Sequence, residues 1–209
     1  MGSIFFNWDY VSYKPDFVPA QWVLKLYSSS DMRYNSYFAS FATGYDHALT
    51  WPLLVKYYGN QNFISNALIY HVSMPKPFRL AEQYLIRAEA YCRQEKPDYS
   101  AASKDLATLR ASRLASSGGV SLTADNYIQT IADERVRELY MEGFRLNDIK
   151  RWGNLYNNGE GFQREPQSNS LEKGSSLKIK ADHPLFVWPI PQNEIEAPGS
   201  QVQPNESNK

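Results

Sequence analysis

The clearest pattern in the chain is a run of apolar residues at helical spacing near its middle. Apolar or small residues recur every three or four positions there and mark one helical face: Leu80, Tyr84, Leu85, Ala88 and Cys92. Pro97 is expected to end this segment, and Asp98 or Ser100 is placed to cap a second helix with similar spacing. We therefore predict two consecutive helices joined by a short turn.

Two helices of this length, with small and aromatic residues at matching places, resemble a tetratricopeptide hairpin. A solenoid of such hairpins generally needs about three repeats to bury its faces. One pair is clear, and residues 124–152 suggest a second. We therefore expect stacking partners in a preceding part of a longer protein or in another subunit.

More helix is predicted after this hairpin. Thr123 is placed to cap a long helix that Gly143 ends, and a short helix follows over residues 144–152. The apolar stripe of the long helix consists of Ile128, Ile131, Leu139 and Tyr140. Residues 154–176 are rich in Gly, Asn and Ser and predict a surface excursion, and residues 185–188 are strand-like.

The N-terminal part of the chain lacks this regularity. Residues 4–13 are aromatic without clean alternation, which is typical of a loop or short strand. Pro19 suits the first position of a short helix. Residues 34–58 are aromatic and β-branched, and with Gly44 and Asp46 as turn residues they predict a small irregular hairpin.

These patterns together predict a mainly α fold of tetratricopeptide-like helical hairpins with irregular loops and a few short strands. We expect one structural domain, built from an aromatic-rich segment (1–78), a helical region (79–197) and a frayed tail (198–209).

Composition excludes several classes of function. The 22 basic residues balance the 22 acidic ones, so no net charge attracts nucleic acid or anionic lipid. The single cysteine, Cys92, allows neither an intrachain disulfide nor a thiolate cluster, and the three histidines lie far apart. No Ser-His-Asp order, phosphate-binding glycine loop or zinc spacing is present. We expect no metal, no cofactor and no catalytic residue.

Aromatic residues supply the candidate binding site. They make up 14% of the chain, and Tyr and Trp present a flat face for stacking on a sugar ring together with a polar tip. Where amides, carboxylates and aromatics meet in loops, we predict glycan-binding residues: Asn7, Trp8, Asp9, Tyr10, Tyr45 and Trp51. In contrast, Trp22, Trp152 and Trp188 lie in regular patterns and are predicted to be core residues.

A dense run of charges allows two interpretations. Glu138 and Glu142, four residues apart on one predicted helix, are a candidate carboxylate pair for a glycoside hydrolase. However, each acid has an arginine within helical reach, which lowers a carboxyl pKa and disfavours a general acid. We therefore predict a structural ion-pair network made of Glu134, Arg137, Glu138, Glu142, Arg145, Asp148 and Arg151.

Three segments carry a family resemblance. Residues 79–90 read RLAEQYLIRAEA, residues 134–152 read ERVRELYMEGFRLNDIKRW, and residues 189–195 read PIPQNEI. Together, and in this order, they resemble motifs of the SusD/RagB family. After residue 195 the chain departs from the family's closing pattern, which affects only the tail.

The resemblance implies a function. Members of this family are α-rich, non-enzymatic lipoproteins on the outer-membrane surface that hold glycans for a TonB-dependent, SusC-like transporter. Their N-terminal half, with its signal and lipidated cysteine, has no counterpart in these residues, so we expect membrane attachment only through an anchor absent here. Two alternatives stay open: a tetratricopeptide-type adaptor for a protein or peptide, and a glycoside hydrolase.

Overall fold

The structure is a computed structural model, and it describes residues 14–15, 17–43, 46–56, 76–116, 119–165 and 177–208. Its α-helices are α1 (Gln21–Leu24), α2 (Met32–Tyr37), α3 (Leu80–Cys92), α4 (Tyr99–Ala111), α5 (Tyr127–Glu138), α6 (Arg145–Trp152) and α7 (Gln192–Ile195). Its strands are β1 (Phe38–Thr43), β2 (Asp46–Leu54), β3 (Glu160–Arg164) and β4 (Leu177–Lys180). The predicted fold class, mainly α with a few short strands, is confirmed.

The chain divides into two compact units. The first consists of Met1–Tyr140 and Glu165–Ser175, and the second of Met141–Arg164 and Ser176–Lys209. The expected single domain, with its boundaries, stays a prediction.

The helical hairpin of the first unit forms as its spacing predicts. Helix α3 packs on both α4 and α5. The Asp98 carboxylate accepts a hydrogen bond from the Ala101 N–H at 2.8 Å and caps α4. The contact faces bury Leu85, Ala88, Ala102, Leu106, Leu109 and Ile131. Leu80, at the start of α3, is exposed and does not join this face.

Helix α5 is shorter than the sequence pattern predicts. It begins at Tyr127, and the Asn126 side chain accepts the Thr123 N–H at 2.8 Å, so Thr123 is not its cap. It ends at Glu138, and Met141 adopts a left-handed backbone (φ 59°) before Gly143 (φ 88°). The chain leaves the helix early because Tyr140 packs against Phe38, with 5.7 Å between ring centroids.

A two-stranded hairpin forms the other part of the first unit. Strands β1 and β2 pair antiparallel, with Phe41 opposite Trp51, which confirms the predicted hairpin. Helix α2, which precedes it, was not predicted; the Asp31 side chain caps it through the Arg33 N–H. Helix α1 begins at Gln21, two residues after the predicted start at Pro19. The hydrophobic core here comprises Val23, Tyr27, Phe38, Leu53, Leu54 and Val136.

The second unit is built on α6 and the antiparallel pair of β3 and β4. Its small core contains Ile149, Ala181 and Phe186, and the Trp152 ring lies 5.1 Å from that of Tyr156. The predicted core position of Trp152 is therefore correct. Strand β3 lies within the predicted surface excursion, whose residues 166–176 are outside the described residues.

The predicted strand at residues 185–188 is wrong. A 3₁₀ turn spans Pro184–Phe186, and Trp188 is 81% exposed rather than buried. Prolines at 184 and 189 bracket this segment and lack the N–H that strand pairing requires.

The C-terminal tail, which the sequence predicts to be frayed, makes specific hydrogen bonds. The Asn208 side chain accepts from the Ile190 N–H and donates to the Ile190 carbonyl. Asn205 donates to the Trp188 carbonyl at 2.8 Å. Across the described residues, no helix is both long and apolar enough to cross a membrane.

Gly161 on β3 allows the close pairing of the two strands of the second unit. A Cβ atom at this position would lie 2.7 Å from the Ile179 carbonyl oxygen and 2.8 Å from the Ala181 nitrogen, both backbone atoms that cannot move aside cheaply. We expect Gly161→Ala to lower the free energy of unfolding by about 1–3 kcal/mol, measured by urea denaturation. The control is Gly119→Ala, since no atom lies within 4 Å of that Cβ. Equal midpoints for the two variants would contradict this packing.

Candidate functional site

Two fully buried carboxylates on α5 form the centre of the main polar cluster. Glu134 and Glu138 are four residues apart, so they lie on one face of the helix, and both are 0% exposed. Burial of unpaired charges at such positions costs several kcal/mol, so each carboxylate requires cationic partners.

Three arginines bind Glu138. Arg33 Nη1 donates to Oε2 at 3.1 Å, and Arg79 Nη1 donates to Oε1 at 2.9 Å. Arg113 makes a forked contact, from Nε to Oε2 at 2.9 Å and from Nη2 to Oε1 at 3.0 Å. Each carboxylate oxygen therefore accepts from two arginines.

Glu134 has a similar environment. Its Oε1 accepts from Arg33 Nη1 at 2.7 Å, and its Oε2 accepts from Arg110 Nε at 2.7 Å and Arg137 Nη2 at 2.6 Å. Arg137 also donates to the Leu26 carbonyl at 3.2 Å, which connects the network to the segment after α1.

Arg33 connects the two glutamates. Its side chain is 3% exposed, and its Nη1 contacts both carboxylates, while Nε and Nη2 bind the Asp31 carboxylate at 2.9 and 2.7 Å. The turn after α4 holds Asp31 and Arg33 in place, because Met32 N–H donates to the Arg113 carbonyl and Asp31 forms a β-bridge with Leu114.

The arginines decide the protonation of the glutamates. Burial is the largest influence on the Glu134 pKa and acts to raise it, but Arg137, Arg33 and Arg110 outweigh it and lower the pKa to about 2. Burial likewise acts to raise the pKa of Glu138, yet Arg113 and Arg79 lower it. Both glutamates are therefore ionised at neutral pH and cannot donate a proton as a general acid.

The predicted network residues are divided between the two units. Glu134, Arg137 and Glu138 belong to the cluster around α5. Asp148 and Arg151 pair with each other on α6 at 2.9 Å, and Arg145 stacks on the Tyr156 ring at 5.2 Å. Glu142 lies beyond the end of α5, so Glu138 and Glu142 do not share a helix face as the sequence predicts.

The distant partners of the glutamates were not predicted from the sequence. Four arginines of the network were absent from the predicted set: Arg33, Arg79, Arg110 and Arg113. Arg79 is the first residue of the motif at residues 79–90, and this motif was the sequence signal that could have identified it. Two further acids of the hairpin pair with basic residues: Glu89 with Arg93 at 2.9 Å, and Asp105 with Arg87 at 2.6 Å.

The predicted glycan-binding residues lie mostly outside the described residues. This holds for Tyr45 and for Asn7, Trp8, Asp9 and Tyr10, so their role stays a prediction. Trp51 is half-buried and packs against the core of the first unit. Within the described part of the chain, no group of three His, Cys, Asp or Glu residues is arranged to hold a metal ion.

An open pocket of about 270 Å³ lies in the first unit beside the network. Its described lining consists of Ser36, Tyr37, Lys56, Lys76 and Arg79. A smaller pocket of about 200 Å³ lies over the network itself and is lined by Asp31, Arg33, Arg110, Glu134 and Arg137 among others.

Comparison with known proteins identifies the family. The SusD family model matches residues 1–206. The chain belongs to the SusD family. A solved SusD-like carbohydrate binding protein from Bacteroides vulgatus has a similar fold, with a TM-score of 0.50 and 24% sequence identity. The match covers 78% of this SusD-family chain and 33% of that protein, so this chain spans about a third of its length. Among curated proteins, none gives a significant match.

The buried network makes a strong prediction for stability. Glu138→Gln removes the charge that neutralises Arg33, Arg79 and Arg113, and we expect the free energy of unfolding to fall by about 3–5 kcal/mol. Chemical denaturation of the purified variant measures this loss. Glu95→Gln, at an exposed position in the α3–α4 connection, is the control and should change stability by less than about 0.5 kcal/mol. The network would be energetically unimportant if both variants unfolded at the same denaturant concentration.

The lowered pKa of Glu134 predicts loss of stability in acid. A carboxyl with a folded pKa of about 2 and an ordinary value of 4.5 stabilises the fold fully above pH 4.5 and loses this contribution as pH falls towards 2. The loss is on the order of 3 kcal/mol. Thermal unfolding between these pH values should show a falling midpoint, and Glu134→Gln should flatten the dependence. An unchanged slope in the variant would assign the acid sensitivity to other groups.

Proposed function

We propose that this chain is a non-catalytic glycan-binding module that acts at the outer-membrane surface, held there by a lipid anchor. In this proposal it presents oligosaccharides to a TonB-dependent, SusC-like transporter for uptake. The observation that carries the proposal is the SusD family match over residues 1–206. The similar solved protein, which is named as carbohydrate binding, gives further support.

The ionised state of the buried glutamates supports glycan binding without hydrolysis. A glycoside hydrolase uses a carboxylic acid of raised pKa and a second carboxylate on opposite sides of the scissile bond. Glu134 and Glu138 are both lowered in pKa, and arginines occupy their oxygens. Their arrangement suits a scaffold that carries binding loops rather than a reaction centre.

Aromatic loops are the proposed recognition elements. Trp8 and Tyr10 supply flat faces for stacking on a pyranose, and Asn7 and Asp9 supply hydrogen-bonding groups for its hydroxyls. Tyr45 and Trp51 form a second candidate group. We expect weak glycan binding at a single site, with a Kd in the micromolar to millimolar range. This corresponds to a binding free energy of about −8 to −4 kcal/mol.

Calorimetry of the chain against a panel of soluble polysaccharides tests this proposal. We expect binding without release of reducing sugar, and Trp8→Ala with Tyr10→Ala should weaken it by at least about tenfold. Trp188→Ala is the matched control, because this tryptophan is 81% exposed and is not a predicted ligand. Reducing-sugar release would indicate a hydrolase. No binding by a chain shown to be folded by circular dichroism would instead favour a protein or peptide partner.

A further inference from the structure

Helix α3 has two sides of different character. Its inner side packs on α4 and α5, and the buried residues of the helix are Ala81, Glu82, Leu85, Ala88, Glu89 and Cys92. Its outer side carries four large side chains, which we call the α3 stripe: Leu80, Tyr84, Arg87 and Tyr91. Leu80 is 72% exposed, the Arg87 side chain is 56% exposed, and both tyrosines are half-buried. The stripe therefore offers a surface to a further partner.

The spacing of the α3 stripe is that of a seam between two helices. Its members follow one another at intervals of four, three and four residues. This alternation is that of the a and d positions of a heptad, with Leu80 and Arg87 at d and both tyrosines at a. A stripe with this spacing packs against a second helix at a shallow crossing angle. The partner that fits it is therefore a helix.

The charge in the middle of the stripe is already neutralised. Arg87 Nε and Nη2 donate to the two Asp105 carboxylate oxygens at 2.7 and 2.6 Å, which ties the side chain to α4. The guanidinium carbon also lies 5.5 Å from the centre of the Tyr84 ring. Arg87 can therefore enter a contact between helices without leaving an unpaired charge, and its fixed position lowers the entropy lost on association.

The α3 stripe is complementary to itself. Its spacing reads the same in both chain directions, so an antiparallel second copy can match it about a two-fold axis between residues 85 and 86. Leu80 then lies opposite the partner's Tyr91, and Tyr84 lies opposite the partner's Arg87. The first pair joins two apolar surfaces, and the second places a guanidinium beside an aromatic ring. The 22 basic and 22 acidic residues leave no net charge to oppose self-association.

We propose that the α3 stripe is the contact surface of a homodimer, in which α3 packs antiparallel on α3 of a second copy. A second copy fits better than a different protein because each stripe residue finds its complement on the same stripe. Four large residues are few compared with the about 20–30 residues a side of a standard stable interface. The dimer is therefore weak, and we expect a Kd of about 10–100 µM. This inference is independent of the proposed glycan binding.

Sedimentation equilibrium of the chain between about 5 and 500 µM tests the dimer. We expect the mean mass to rise from that of the monomer towards that of the dimer. Leu80→Gln removes the apolar group opposite the partner's Tyr91 and should raise the Kd by at least about tenfold. Leu155→Gln is the matched control, because this leucine is 56% exposed and lies in the second unit. A monomer at every concentration would leave the stripe to another partner and overturn the proposal, as would equal Kd values for the two variants.

Cysteine cross-linking tests the antiparallel register. A mixture of Leu80→Cys and Tyr91→Cys proteins, each shown to be folded by circular dichroism, should form a disulfide-linked pair, since a disulfide requires Cα atoms within about 7 Å. Neither variant should cross-link with itself, because the two copies of each position lie about 16 Å apart along the helix axis. The native Cys92 is buried and is kept in both. Self-linking as efficient as that of the mixture would refute this register, and no cross-link in any combination would refute the contact.

Discussion

The ion-pair cluster around Glu134 and Glu138 is the constraint on which the first unit depends. Two carboxylates in a dry interior are tolerated only when cations and hydrogen bonds satisfy them. The cations come from α2, from the residue before α3, from α4 and the turn after it, and from α5 itself. One helix face therefore determines where three other segments must lie.

This arrangement also separates the scaffold from recognition. Arginines occupy the glutamate oxygens and keep both acids ionised, so these acids contribute to packing rather than proton transfer. Two pockets adjoin this cluster: one is lined by Lys56, Lys76 and Arg79, and the other by Arg33, Arg110 and Arg137 among others.

Local patterns predicted the helical part of the fold well and the irregular part poorly. The α3–α4 hairpin and its Asp98 cap depend on contacts between near neighbours, and they formed as expected. The end of α5 did not, because Tyr140 leaves the helix to pack on Phe38, about a hundred residues away in sequence. Trp188 is exposed for a different reason, because the prolines at 184 and 189 lack the N–H that strand pairing requires.

The sequence by itself determined the helix-rich class, the family and the presence of paired charges, because periodicity, caps and motifs are properties of neighbouring residues. Only the tertiary structure decided which charges pair. Arg33 and Glu138 are 105 residues apart, and Arg79 and Glu138 are 59 apart, so no helical spacing relates them. Burial made these long-range pairs obligatory, and the pocket beside them exists only because the chain folds back to form them.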